Sequence, residues 1–300
     1  MNYSYSEFKQ HILSGLKERL APGTTFTLQD IIKNNDTHLD GLTILSPGAN
    51  IGPTIYLNYY FEQYLETGRS LPETVDDILK SCGDNPDPSS VDISFFTDYD
   101  KAKSRIVFKL VNYERNRTLL SDVPHFRFLD LALVFQCLAE VTPTGSASVL
   151  IHNRHLPYWG ITKDDLYALA QQNTPKLLSY EFLNMKDVIR ELFSAPDAGQ
   201  PSDTAAGFPM YVLTNHCRLN GSGCILYENL LEAIAGRLDA DLVIIPSSIH
   251  EVLILPSGIP TDIDALSGVI REVNSSQLSR EEILSDHAYY FSRETGKITM

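Results

Sequence analysis

Ser247, Ser248, His250 and Glu251 lie together in the stretch IIPSSIHEVLILP. A hydroxyl, an imidazole and a carboxylate are the parts of a nucleophilic hydrolase, in which the base takes the hydroxyl proton and the acid orients the base. The spacing argues against that use. Neighbouring residues of an extended hairpin point to opposite faces, so His250 and Glu251 cannot both address one serine. No G-x-S-x-G elbow surrounds them. Serine hydroxyls beside a turn satisfy local backbone groups, and that is the role the spacing favours.

Three other groups raise the same question. Asp130 interrupts an apolar run, FLDLALVF. A carboxylate buried there must be paired or protonated, which makes Asp130 the best lone candidate for a perturbed acid. An edge or solvent-facing position fits the run equally well. His216 and Cys217 with Cys224 could share a metal with a remote ligand, but the spacing is not that of a zinc knuckle, so a structural role is expected for them. His152 and His155, before Trp159, supply two imidazoles, too few to close a site. The sequence has no phosphate loop, no GxGxxG and no HExxH. Neither a metal nor a cofactor is expected.

The elements that must position these residues are clearest between Met210 and Pro256. Met210 to Leu213 reads as a strand, and Asn220-Gly221-Ser222-Gly223 as a turn. Ser222 is a candidate N-cap for a helix whose apolar face is Cys224, Tyr227, Leu231, Ile234 and Leu238. The runs Leu242–Ile245 and Val252–Leu255 predict two antiparallel strands joined by residues 246–251. Thr261 with Asp264 predicts a capped helix with the stripe Ile263, Leu266, Val269, Ile270 and Val273. Ser279 with Glu282 starts a shorter one, and His287–Phe291 is strand-like. Strand, helix, strand, strand, helix, strand is the split βαβ, ferredoxin-like order.

Upstream, a helix from a Ser4 cap to Leu20 precedes a hairpin, with strands near 25–30 and 42–44 and a turn at Asn34-Asn35-Asp36. The aromatic segment 53–65 predicts a helix buried on several sides, stopped by Gly68. Ser70 with Glu73 opens another, reaching about Cys82, and residues 83–90 form a loop. A helix is expected over 102–111, one long strand over 126–138, a turn at 143–145 and a return strand at 148–151. Helices follow from Thr162 with Asp165 and around Val188–Phe193. Residues 194–207 (SAPDAGQPSDTAAG) read as a linker or exposed loop. They divide the chain into an N-terminal α+β region over 1–193 and a C-terminal βαββαβ unit over 208–300. The fold class is α+β, with mixed or antiparallel sheets and packed helices.

The 300 residues carry a net charge of −14, which opposes attraction to nucleic acid phosphates. Hydrophobic content of 43% is ordinary for a globular chain. No run approaches the ~20 apolar residues that span a bilayer, and MNYSYSEFKQ lacks the blocks of a signal peptide. A cytoplasmic protein with reduced Cys82, Cys137, Cys217 and Cys224 is the expectation.

The segments KNNDTHLDGLTI (33–44), PTIYLNYYFEQYLETGRSL (53–71), KLVNYERN (109–116), VLTNHCRLNGSGCILYE (212–228), IIPSSIHEVLILP (244–256) and REVNSSQLSREEILSDHAYYF (271–291) together resemble a bacterial domain family of unknown function. The resemblance implies a Gram-positive gut anaerobe as source and mobile-element genes as neighbours, and it carries over no catalytic residue. Members often have a small residue where Cys217 and Cys224 stand here, which speaks against a metal role.

The expected function is therefore a non-catalytic cytoplasmic protein that binds another macromolecule, most simply another protein, in an accessory role. Two alternatives stand beside it. One is a hydrolase using the Ser247–Glu251 turn. The other is an acidic inhibitor that mimics nucleic acid.

Overall fold

The computed structural model describes residues 3–49, 52, 54–83, 94–142, 145–193, 209–258 and 263–300. The chain divides into two compact units: residues 1–33 with 37–93, and residues 34–36 with 94–300. The division thus falls near residue 93 rather than at 194–207, a segment outside the described residues.

The first unit opens with α1 (Tyr5–Arg19), capped by Ser4 in a reciprocal capping box with Glu7. Its Phe8, Ile12 and Leu16, four residues apart, form one fully buried stripe. They pack with Leu42, Leu57, Val75 and Ile78. The hairpin of β1 (Thr25–Lys33) and β2 (Thr37–Leu45) is antiparallel, and β3 (Thr54–Tyr56) adds to β2. Next come α2 (Leu57–Thr67) and α3 (Leu71–Gly83). The segment expected to be a helix from residue 53 thus begins as a strand. Its helix buries only Leu57 and Tyr64, because one side alone meets the core and Tyr59 on the opposite side is exposed.

The second unit begins with two short helices, α4 (Ser94–Thr97) and α5 (Tyr99–Ala102), and then β4 (Ile106–Asn112). A helix over 102–111 is therefore not formed. Ile106, Val107 and Leu110 suit a helical stripe, but Phe108 between them is buried as well. A short run buried on both faces is a covered strand. After α6 (Arg117–Asp122) come β5 (His125–Phe128), β6 (Leu131–Thr142) and β7 (Gly145–Leu150). The strand expected over 126–138 is folded back on itself at Leu129-Asp130, where Leu129 takes a left-handed φ of 53°. β5 and β6 pair antiparallel across that turn. β6 also pairs with β4 and β7.

Two helices, α7 (His155–Trp159) and α8 (Lys163–Leu177), lead to β8 (Tyr180–Asn184) and α9 (Met185–Phe193). Then follow β9 (Tyr211–Asn215), α10 (Leu230–Leu238), β10 (Leu242–Pro246), β11 (Val252–Pro256), α11 (Ile263–Ser276), β12 (Tyr289–Ser292) and β13 (Lys297–Thr299). The expected pairing of β10 with β11 is present, from Leu242↔Pro256 to Pro246↔Val252.

The second sheet of this unit has the order β13-β12-β10-β11-β9-β8, and every pairing among the described strands is antiparallel. The α+β class and both split βαβ halves are as expected: β11 lies between β9 and β10, and β10 between β11 and β12. The strand order departs from the ferredoxin-like one at a single place. There β12 would flank β9; here it flanks β10, because the outer side of β9 is taken by β8, a strand from before residue 194. Sheet and helices enclose one core, with Leu213, Ile234, Leu242, Ile244, Ile254 and Tyr289 among its buried members.

Two helix details also differ. Residues Gly221–Leu226 form a 3-10 turn and α10 starts only at Leu230, so Ser222 is not its cap. In α11 the inward face is Ser267, Ile270 and Asn274, leaving Val269 and Val273 56% and 43% exposed. Hydrogen bonds decide that rotation. Ser267 Oγ accepts the Ala288 N–H at 3.2 Å, and the Asn274 amide donates to Ser285 O and Asp286 Oδ1. The proposed cap Thr261 lies outside the described residues.

Candidate functional site

The polar groups of the Ser247–Glu251 turn make internal hydrogen bonds. Ser247 Oγ donates to Glu251 Oε1 at 3.3 Å, and Ser248 Oγ accepts the His250 N–H at 3.0 Å. His250 Nδ1 accepts the Asn220 N–H at 3.2 Å, which fixes the neutral tautomer with its proton on Nε2. Burial keeps the imidazole below its ordinary pKa, in line with that neutral state. Among the described residues no hydrogen bond joins the His250 ring to either serine.

Around this turn the backbone of 249–250 is stapled to the 214–222 segment. Ser222 Oγ donates to Ile249 O at 2.7 Å, and Thr214 Oγ1 donates to His250 O at 2.8 Å. Gly221 passes so close that an added Cβ would lie 2.5 Å from His250 O and 2.7 Å from Asn215 N, so only glycine fits. Each of these polar groups thus has a partner within the turn or on the 214–222 segment.

The Asp130 carboxylate is paired on both oxygens. Ser285 Oγ donates to one carboxylate oxygen at 2.6 Å and Tyr289 Oη to the other at 2.7 Å. Burial, with Asp130 beside it, raises the Tyr289 phenol far above its ordinary value, so the hydroxyl keeps its proton and remains a donor. The carboxylate thereby ties the β5–β6 turn to the start of β12.

Cys224 is buried in the core, donates weakly to Thr214 O, and has its thiol pushed up to about 12 by burial. Cys217 lies against His216 Nε2 at 3.1 Å, with its thiol also raised by burial. Among the described residues no group of three His, Cys, Asp or Glu side chains is placed to hold a metal ion. His152 Nδ1 contacts Asp122 at 2.7 Å, while His155 Nδ1 accepts the His152 N–H at 2.9 Å. This is a pair of local bonds around the loop after β7.

Two arrangements were not read from the sequence. In the first, three of the quoted motif segments converge through asparagine side chains. Asn35 and Asn116, both fully buried, bond to each other, and Asn35 also donates to Arg280 O and Ile283 O. Asn112 donates to Leu284 O, and Arg115 pairs with Asp286 at 2.7 Å. Asp36 accepts the N–H groups of Thr118 and Leu119 at the start of α6, the place where a carboxylate best satisfies unpaired helix donors. The asparagines, which look like turn residues in sequence, here supply donors and acceptors to irregular backbone. The result is a latch, not a cavity.

The second arrangement is open. The end bonds of the β8–β9 ladder run from Met185 N to Met210 O and from His216 N to Ser179 O. By the alternation of an antiparallel ladder, Tyr180, Phe182 and Asn184 turn their N–H and C=O groups away from β9. Among the described residues nothing pairs with them, so β8 is a bare edge.

Beside this edge runs the outer face of α10. A cleft of about 910 Å³ is lined by Tyr180, Tyr227, Leu230 and Ala233, with Pro175 and Lys176 of α8. A second, of about 400 Å³, is lined by Phe182, Tyr211, Asp187, Val188 and Arg237. Tyr180 and Phe182 share a strand face, and Ala233 and Arg237 are four apart on one helix face, so both clefts belong to one strand–helix groove. The only sequence signal was the alternation in YEFLN, too short to stand out.

Among the described residues no helix is long and apolar enough to cross a membrane. No curated protein and no solved structure matches the chain. The segments that form the latch, the stapled turn and the groove's helix all lie within the residues 5–293 that match the model of a family of unknown function, DUF5688, and the chain belongs to that family.

Proposed function

We propose that this chain is a non-catalytic, cytoplasmic binding protein that takes an extended segment of another protein as an added strand on β8. The bare N–H and C=O row at Tyr180, Phe182 and Asn184, beside the α10 groove, carries the reading. A peptide backbone supplies the alternating acceptors and donors that such a row requires, while flanking clefts receive alternate side chains. The Ser247–Glu251 turn and Asp130 have their polar groups engaged in internal bonds, which supports binding over hydrolysis. Cys137, Cys217 and Cys224 are free thiols, in keeping with a reducing compartment.

An array of extended peptides with alternating apolar and polar residues, probed with the parent and with Ala233→Trp, tests this. Ala233 is exposed in the groove, so the indole fills the cleft without entering the core. Peptides bound by the parent and lost by the variant, at equal melting temperature, are the expected result. Binding that the variant retains would place the site elsewhere.

A further inference from the structure

Strand addition on β8 leaves open which sequences are accepted, and the smaller cleft bears on that. Its floor is a stacked aromatic pair, Phe182 and Tyr211, with ring centroids 4.8 Å apart and planes at 20°. Above it Arg237 places its guanidinium 5.7 Å from the Phe182 ring centroid. No described carboxylate lies within ion-pairing reach of Arg237. The acid on the same cleft wall, Asp187, is 3.5 Å from Arg190 instead. In a chain of net charge −14, this is a guanidinium held in place by ring stacking, with its N–H fork available.

We propose, building on the strand-addition reading, that the groove selects a partner segment carrying a bulky apolar residue and an acidic residue two positions apart. The apolar side chain enters the Tyr180–Leu230 cleft and the carboxylate meets Arg237 over Phe182. The spacing follows from strand geometry. Tyr180 and Phe182 are two residues apart on one face, ~7 Å along the strand. A guest strand paired to β8 therefore passes alternate side chains over the two clefts in succession. The larger cleft is walled by Tyr180, Tyr227, Leu230 and Pro175, which suits an aromatic or branched side chain. At the smaller cleft a carboxylate matches a guanidinium in a bidentate way that a neutral or basic side chain does not. Asp187 on its wall stands as the competing charge for a basic guest.

The test uses the whole protein and two labelled eight-residue peptides of alternating Val and Thr. Each carries one Phe, followed two residues later by Glu in one peptide and Lys in the other. Fluorescence anisotropy at low salt should show the Glu peptide binding about tenfold more tightly than the Lys peptide, a charge-assisted contact partly screened by solvent. Added salt should narrow the gap, and Arg237→Glu should invert the preference at unchanged melting temperature, since Arg237 is exposed. Equal binding of both peptides by the parent, abolished by Ala233→Trp, would overturn the acidic preference and leave strand addition standing. Absence of binding by either peptide would overturn both. A parent that self-associates through β8, seen as a dimer dissolved by Ala233→Trp, would show that the groove serves a second copy and overturn the partner proposal.

Discussion

Asn116 accepts the Asn35 backbone N–H through Oδ1 at 2.7 Å and returns its own amide to Asn35 Oδ1 at 2.9 Å. Both residues are fully buried. Each holds further backbone groups: Asn116 donates to Asn112 O at 2.8 Å, and Asn35 to Ile283 O at 2.8 Å. A loop of residues 280–286 without regular ladder bonds is thereby fixed to β4 and α6.

Removing one partner leaves the others buried and unsatisfied. Asn116→Ala should lower unfolding free energy by about 2–4 kcal/mol, more than one neutral hydrogen bond, because the Asn35 N–H and Oδ1 both lose their partner. Urea titration reads it. A loss below about 1 kcal/mol would mean that water replaces the amide without cost.

His250 should behave as a structural histidine. His250→Ala removes the acceptor of the Asn220 N–H and should cost about 1 kcal/mol at pH 8 while leaving peptide binding intact. The pH dependence has a definite sign. Burial depresses the folded-state pKa of His250, so its contribution is fully present above the unfolded value of ~6.5 and is lost as pH falls through the folded value. Thermal melts between pH 8 and pH 5 should therefore fall less steeply for the variant than for the parent. His155, also lowered by burial, keeps part of the slope in both. Parallel slopes would remove His250 from this account.

The Asp130 carboxylate couples Ser285 to Tyr289. In a double-mutant cycle, Asp130→Asn and Tyr289→Phe should interact by about 0.5–3 kcal/mol, since each removes one end of the same bond. Additive losses would show that the phenol and the carboxylate act separately.

Local chemistry was legible where the deciding partner lies within a few residues. The Ser4 cap, the capping boxes Thr162/Asp165 and Ser279/Glu282 and the 242–256 hairpin are such cases. It failed where distant contacts decide. Ile106–Val111 has helical spacing but pairs with β6 and is buried on both faces, and Leu129-Asp130 turns because the chain on each side pairs with itself. Val269 and Val273 face outward because Asn274 and Ser267 have partners near β12. Of the candidate site, the residues with reactive side chains stood out and proved to be bonded internally. The groove did not stand out, because its binding groups are backbone atoms of β8, and no residue type announces an unpaired edge.

Backbone amide exchange reads whether β8 accepts a strand. With the Phe/Glu peptide at saturation, the amides of Tyr180, Phe182 and Asn184 should exchange more slowly. Those of Glu181 and Leu183, already directed at β9, should change little. Protection that is absent at all three outward amides while the peptide is bound, or that centres on Val269 and Val273 instead, would contradict the account.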